Sequence, residues 1–496
     1  MHEEEPKNTS VSGLHEGLEL RPPELDYIFH PRSIALVGAS DHPQNTGNVL
    51  LAAFLKGGYK GGLYPVHPTL AEVMGLTCYP DLRSIPYPVD HVFVGIPAQR
   101  TPDLMHDCAA KGVRVCHFFT AGFSELGTAE GRALEMQILE IARTNGIRLI
   151  GPNSMGIYCP SSGLYLAGGL PHRSGHLGLL SQSGGNSIYL CRTAAMRGAA
   201  FSKAVSYGNG CDLDESDLLD YFSDDHDTRV ITAYIEGVKN GLRFRHALRK
   251  AADAKPTILL KGGKTECGAL TVRSHTGALA GSTSVWDGLI QQTGALQVDD
   301  LDELIDLALL FLYMKPPRGR RVAVVGLGGG ISVFAADAFH GSGLLLPRFS
   351  EELKTKLLGM APTAGNICDN PMDTSILFFN PDLLRRAINA ISQWEGIDLV
   401  CLHLAYDIIG WDLNPLLDSG LTHQVMHTMV ECTRRIKVPV CVVLHHANRP
   451  TSYEACIQDQ QICWEAGLPV FLSMDKAAKA LSRFITYHQK RIRLFS

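Results

Sequence analysis

Short apolar runs recur along the chain. Most are closed by a turn of Gly, Ser, Pro or Asn and followed by a stretch of helical periodicity. Such runs read as buried parallel strands, and their alternation with helices predicts parallel sheets covered on both faces. In the first block, strands are predicted at 33–37, 62–66, 91–96, 113–118 and 148–153, with a helix at 49–56 after the turn Gly38-Ala39-Ser40. A Gly/Leu-rich stretch at 163–171 leads to a second block, with strands at 176–181, 230–235 and 257–261. After Lys315-Pro316-Pro317-Arg318-Gly319 a third block restarts at 321–326, with further strands at 398–404, 438–444 and 469–474. The fold class is α/β, in three doubly wound domains that each open on strand, glycine turn and helix. The expected boundaries are a flexible arm over 1–25 and domains over 26–160, 165–314 and 320–496.

Composition narrows the class. The 496 residues are 45% hydrophobic and 19% charged, enough for several cores. The net charge is −5 with no basic stripe, so nucleic acid is not an expected partner. No apolar run reaches the roughly 18 residues of a membrane helix, and the acidic start Met1-His2-Glu3-Glu4-Glu5 lacks signal-peptide character. The 13 cysteines are scattered, with no CxxC pair. That pattern points to reduced thiols in a cytoplasmic protein and to no metal site.

The glycine turns carry the candidate chemistry. In such units the first turn normally meets phosphate at a helix N-terminus. A nicotinamide dinucleotide would need three spaced glycines and an acid ending the second strand. Here the turn is Gly38-Ala39-Ser40-Asp41-His42-Pro43 and the second strand ends Pro65-Val66-His67-Pro68, so that cofactor is disfavoured. The second turn, Ser181-Gln182-Ser183-Gly184-Gly185-Asn186-Ser187, offers backbone amides and hydroxyls ahead of a helix, which suits an anion or is a plain N-cap. The third, Gly326-Leu327-Gly328-Gly329-Gly330, suggests close backbone approach to a ligand or subunit. Finally, Ser274-His275-Thr276-Gly277-Ala278-Leu279-Ala280-Gly281 places a histidine among small residues, at what reads as the start of a helix. Imidazole can take a phosphoryl group, and a carboxylate normally orients its other nitrogen. Glu236, ending the strand at 230–235, would share an edge with His275 if that strand neighbours 257–261.

Together these pieces resemble the NDP-forming acyl-CoA synthetases, the superfamily of succinyl-CoA synthetase, and within it the α subunits of ADP-forming acetyl-CoA synthetases. The resemblance rests on Gly38-Ala39-Ser40, Pro65-Val66-His67-Pro68, Gly95-Ile96-Pro97-Ala98, Ala121-Gly122-Phe123, Gly151-Pro152-Asn153, Ser181-Gln182-Ser183-Gly184-Gly185, Ser274-His275-Thr276-Gly277 and Asn370-Pro371-Met372-Asp373, in that order. It implies a Rossmann-like CoA-binding domain followed by two flavodoxin-like domains, the second of CoA-ligase type. It implies CoA contacts from Gly38, Ser40, Val66, His67, Pro97, Gly122, Phe123 and Asn153. His275 would be a transient phosphohistidine steadied by Glu236, with Ser183, Gly184, Gly185, Thr276 and Gly277 holding phosphate. The reaction would join a short carboxylic acid to CoA, with ATP or GTP cleaved to the diphosphate and phosphate, or run in reverse. Nucleotide and Mg would be held mainly by a separate ATP-grasp β-type subunit, in an α2β2-like assembly, since all three blocks here are otherwise assigned.

Departures from the family are His67 in place of the usual Asn, Thr69 in place of a common Lys, and Arg273 beside the histidine. Two other readings are a non-catalytic CoA-binding scaffold, which would tolerate loss of His275, and a nicotinamide-dependent oxidoreductase, opposed by the missing fingerprint.

Overall fold

The computed structural model describes residues 25–276, 282–361, 367–373, 380–406, 419–445 and 450–495. Most of the N-terminal arm, and Gly277 with the small residues after it, lie outside these. Three sheets form. The first orders its strands Gly62–Val66, Ser33–Val37, His91–Val94, Val115–Phe118 and Arg148–Ile150, all parallel. The third orders Met372–Asp373, Val322–Gly326, Leu399–Ala405, Val440–His445 and Val470–Phe471, again all parallel. Their strands are buried nearly throughout, which is why they read as continuous apolar runs. In both sheets the chain reverses direction of travel at the first strand, so a crevice opens at its carboxyl end.

The second sheet is Leu296–Val298, Thr257–Lys261, Val230–Ile235, Leu177–Ser181, Phe201–Ser206 and Gly156–Tyr158. Its last strand departs from the all-parallel pattern. Gly156–Tyr158 runs antiparallel to Phe201–Ser206, so chain leaving the first sheet completes the edge of the second. A hairpin of Glu72–Val73 with Leu76–Thr77 is likewise absent from the apolar pattern. Its two turn residues, Met74 and Gly75, both have positive φ, as a two-residue hairpin turn demands.

Helix starts follow local chemistry. The helix expected at 49–56 runs Thr46–Gly57, because the Asn45 side chain accepts the Gly47 amide at 2.8 Å. Helix Glu215–Asp224 opens on a full capping box between Asp214 and Asp217. The domains share cores. Leu36 and Phe93 of the first sheet lie in one cluster with Leu180 and Val205 of the second. Helices Leu301–Tyr313 and Met474–Phe495 join the second sheet to the third through Leu304, Leu307, Leu310, Leu481 and Phe484. Among the described residues no helix is long and apolar enough to cross a membrane, and no group of three metal-ligating side chains occurs.

Candidate functional site

The carboxyl edge of the second sheet collects the second glycine turn and Glu236. Strands Leu177–Ser181 and Val230–Ile235 are neighbours, and so are Val230–Ile235 and Thr257–Lys261. Ser183 caps helix Gly184–Met196 by accepting the Asn186 amide at 3.3 Å. Its carbonyl accepts the Ser181 and Ser187 hydroxyls at 2.8 and 2.9 Å. These bonds fix the turn and leave the Gly184 and Gly185 amides, first in the helix, without intrahelical acceptors. A side chain at Gly184 would collide with Met155, so glycine is needed there. The result is a rigid donor cluster at a positive helix end, suited to an anion.

Glu236 is 4% exposed, not a solvated loop acid. Gln182 ties it to the turn. The Gln182 side-chain carbonyl accepts the Glu236 amide and, at 2.9 Å, the Gly237 amide. The Tyr234 hydroxyl donates to Glu236 Oε1 at 3.1 Å, and the Lys261 ammonium donates to the Glu236 carbonyl at 2.6 Å. Burial pulls the Lys261 ammonium down from its usual range, against the opposing charge of Glu236. Gln182, Tyr234 and Lys261 escaped sequence reading; only the position of Gln182, inside the glycine turn, could have flagged one of them.

His275 requires a correction. It stands in the last turn of helix Glu266–Thr276, not at a helix start. The overlooked signal is Thr265, whose hydroxyl accepts the Gly268 amide at 3.1 Å and opens the helix ten residues before the histidine. The helix leaves the same sheet edge, after strand Thr257–Lys261, and packs against the Ser124–Leu126 turn of the first domain. That turn adjoins Gly122 and Phe123.

The first-sheet residues cluster at its carboxyl edge. Gly38 has φ +107°, and a Cβ there would meet the Gly95 carbonyl. Asn48, 5% exposed, braces the turn: its amide donates to the Ser40 and His42 carbonyls at 2.6 and 3.1 Å and its oxygen accepts the Ser40 amide at 3.2 Å. Val66 is buried. His67 Nδ1 accepts the Thr69 and Leu70 amides at 3.3 Å each, so the imidazole serves as a turn cap. Pro97 is exposed at the start of the Ala98–Arg100 turn. Gly122 has φ +112° and donates its amide to Glu125 Oε1 at 2.5 Å. Asn153, at φ +56°, donates its amide to the Thr120 carbonyl at 3.0 Å. Phe123 is placed otherwise: it is wholly buried, edge-on to Phe118, and its amide is taken by Glu125. It is part of the core rather than the lining. A cavity of about 600 Å³ opens beside Ser40 and Asn48, with Lys56 and the 165–172 segment on its walls. Positive-φ glycines and a braced turn of this kind leave backbone exposed to a phosphate-bearing ligand.

In the third sheet the glycines divide by role. Gly326 leaves room for the His403 ring, which a side chain there would strike. Gly328, at φ +114°, donates its amide to Asp373 Oδ1 at 2.8 Å. Gly330 faces open space.

Residues 32–160 match the CoA binding domain family and residues 174–311 the succinyl-CoA ligase like flavodoxin domain family. The chain is 37% identical over 354 residues to the α subunit of ADP-forming acetate–CoA ligase I of Pyrococcus furiosus, covering 70% of this chain and 76% of that subunit. It is 30% identical over 494 residues to ADP-forming acetate–CoA ligase II of Archaeoglobus fulgidus, covering 97% of this chain and 70% of that longer protein. Its structure resembles that of dinucleotide forming acetyl-coenzyme A synthetase 1 of Ca. Korarchaeum cryptofilum, solved with phosphate and ADP, at a TM-score of 0.79 and 29% identity over 95% of this chain and 98% of that one. With its glycine turns and buried Glu236 at two adjoining sheet edges, the chain belongs to the ADP-forming acetyl-CoA synthetase family of CoA ligases.

Proposed function

We propose that the chain is the α-type part of an NDP-forming acyl-CoA synthetase that works through a phosphohistidine at His275. The observation that carries this reading is the course of helix Glu266–Thr276. It follows the strand at the sheet edge that also holds Glu236 and the Ser183 turn, and it packs against the Ser124–Leu126 turn of the first domain, next to Gly122 and Phe123. In this reading the helix carries His275 between a phosphate cradle and a CoA-binding edge. In this reading residues 26–160 bind CoA, 165–314 carry the phosphohistidine and 320–496 form the CoA-ligase-type unit. CoA contacts come from Gly38, Ser40, Val66, His67, Pro97, Gly122 and Asn153. Phosphate is held by Ser183, Gly184 and Gly185, with Thr276 and Gly277 beside the histidine. A separate ATP-grasp β-type subunit supplies the nucleotide, ATP or GTP, with its Mg.

The terminal phosphoryl of the nucleotide passes to an imidazole nitrogen of His275, releasing the diphosphate. A carboxylate oxygen of the acid attacks that phosphorus, and the N–P bond breaks to give an acyl phosphate. The CoA thiolate attacks its carbonyl carbon; the C–S bond forms, the C–O bond breaks and phosphate leaves. Covalent catalysis of this kind divides one difficult step into easier ones. The Gly184 and Gly185 amides stabilise charge on the moving phosphoryl group. Glu236 orients and charges the imidazole.

The test is labelling with γ-labelled ATP in source-cell lysate, followed by recovery of the tagged chain. Acid-labile label on wild type, none on His275→Ala, and a co-purifying ATP-grasp subunit are expected. Glu236→Gln is expected to slow labelling by about 10- to 100-fold, the usual effect of losing a residue that orients a functional imidazole. Label persisting in His275→Ala, or a recovered ATP-grasp partner with no label on wild type, would sink the reading; the latter would favour a non-catalytic CoA-binding role.

A further inference from the structure

The loop at 207–213, which follows strand Phe201–Ser206, touches the parts that the proposed reaction must bring together. At its start the Tyr207 amide donates to the Ser181 carbonyl at 2.9 Å, beside the Ser183 turn. In its middle the Gly210 carbonyl accepts the Lys239 ammonium at 3.1 Å, three residues beyond Glu236. Toward the first domain, the Leu213, Cys211 and Asn209 amides donate to the Leu149, Gly151 and Pro152 carbonyls at 3.2, 3.0 and 2.9 Å. Gly208 lies so near the Pro152 and Asn153 carbonyls that a Cβ would fall 2.3 Å from each, and its φ is +53°, so glycine is needed there. One loop thus runs from the anion turn of the second sheet to the carboxyl edge of the first.

Asn209 extends this contact to the seat of the His275 helix. Helix Glu266–Thr276 packs on the Ser124–Leu126 turn, and two carboxylates hold that turn. Glu125 Oε1 takes the Gly122 and Phe123 amides, and Glu135 Oε2 takes the Ser124 hydroxyl at 2.7 Å. The Asn209 side-chain amide, on a residue only 4% exposed, donates to the other Glu125 oxygen at 2.6 Å and to Glu135 Oε2 at 3.0 Å. Bonds from a neutral donor to a carboxylate are among the stronger ones. Here one donor is shared by two like charges, which would otherwise repel across the same gap. An aspartate of the same shape would add a third.

We infer that Asn209 is a positioning residue for transfer to CoA: through Glu125 and Glu135 it fixes the first-domain edge, and the seat of the His275 helix, at one distance from the Ser183 turn. It touches no substrate. Its effect is on spacing, and a displacement of about 1 Å between reacting groups costs on the order of 100-fold in rate. This role rests on the synthetase reading; the joint between the domains does not.

The test separates the two half-reactions in the full-length chain with its recovered ATP-grasp subunit. Labelling of His275 from γ-labelled ATP reads the first. Acetyl-CoA formed from the labelled chain on adding acetate and CoA reads the second. Asn209→Ala removes the donor, and Asn209→Asp keeps its shape while adding a carboxylate. Glu125→Gln keeps an oxygen for the Gly122 and Phe123 amides but turns a donor toward Asn209, so it breaks the link between domains alone. All three are expected to label at the wild-type rate and to need the wild-type CoA concentration for half-maximal rate, with the maximal rate of thioester formation lowered about 10- to 100-fold. Thioester formation at the wild-type rate in all three overturns the inference. So does an equal fall in both half-reactions, which marks a general loss of structure. Amide hydrogen exchange needs neither label nor partner. In Asn209→Ala it is expected to quicken at residues 122–126 and to stay as in wild type in strand Val115–Phe118; unchanged exchange at 122–126 overturns the joint. A wild-type chain that never takes label sinks the synthetase reading and the transfer role with it, while quickened exchange still establishes Asn209 as the joint of the two domains.

Discussion

Glu215 is a carboxyl with little to stabilise its charge. It is 3% exposed, its Oε1 has no partner, and burial, reinforced by Asp214, pushes its pKa up to about 8 from 4.5. Its folded form holds the proton more tightly than its unfolded form. This group therefore contributes full stability below about pH 4.5, and the contribution is lost as pH rises toward 8. Glu215→Gln should remove that slope and raise the urea midpoint at pH 8 relative to wild type; an unchanged difference between pH 6 and pH 8 would show that Glu215 does not titrate there. Residues of this sort were not legible beforehand. A glutamate inside Asp214-Glu215-Ser216-Asp217 reads as a solvated helix start, and only packing beneath Tyr207 and Asp214 makes it buried. His275 illustrates the same limit. Its neighbours marked it as chemically able, but the Thr265 cap decided which end of a helix it occupies.

Among the elements, the Ser183 turn does two things at once. Its side chain caps the helix and its rigidity holds the free Gly184 and Gly185 amides in place. Ser183→Ala should cost about 1 kcal/mol of stability, the usual value of an N-cap, measured by denaturant unfolding. Labelling of His275 should fall by more than the stability loss explains, because the cradle loosens. A labelling rate equal to wild type would separate the cap from the chemistry. The strands and glycine turns were readable because periods of two and of 3.6 are local properties. The short strand Gly156–Tyr158 was not: three residues carry no period, and its antiparallel partner lies at 201–206. The hairpin around Met74 and Gly75 escaped because Met is an unusual residue at positive φ.

The whole molecule is held by contacts that cross the domains. Asn209 reaches from the second domain to Glu125 Oε2 at 2.6 Å and Glu135 Oε2 at 3.0 Å in the first. Arg197 pairs with Asp306 within the second domain and donates to the Val470 carbonyl at 2.8 Å, tying the last strand of the third sheet to that pair. Both partners are buried, at 5% and 1% exposure. Asp306→Ala should cost about 3–5 kcal/mol, because it strands a guanidinium in the interior, whereas replacing both residues by Met and Leu should cost far less. Thermal unfolding of the single and double variants decides this, and equal losses would refute it.

The α/β class, the three strand–turn–helix units, the glycine turns and the family are all legible along the chain, since each is written in residues close together in it. Tertiary structure decided what those units bring together. It buried Glu236 and tied it to Gln182, 54 residues away. It laid the His275 helix on the first domain, moved Phe123 into the core, and set Asn209 against Glu125 and Glu135, 84 and 74 residues away. Periodicity records which face of an element is buried. It does not record which distant element buries it, and the site is made of such distant pairs.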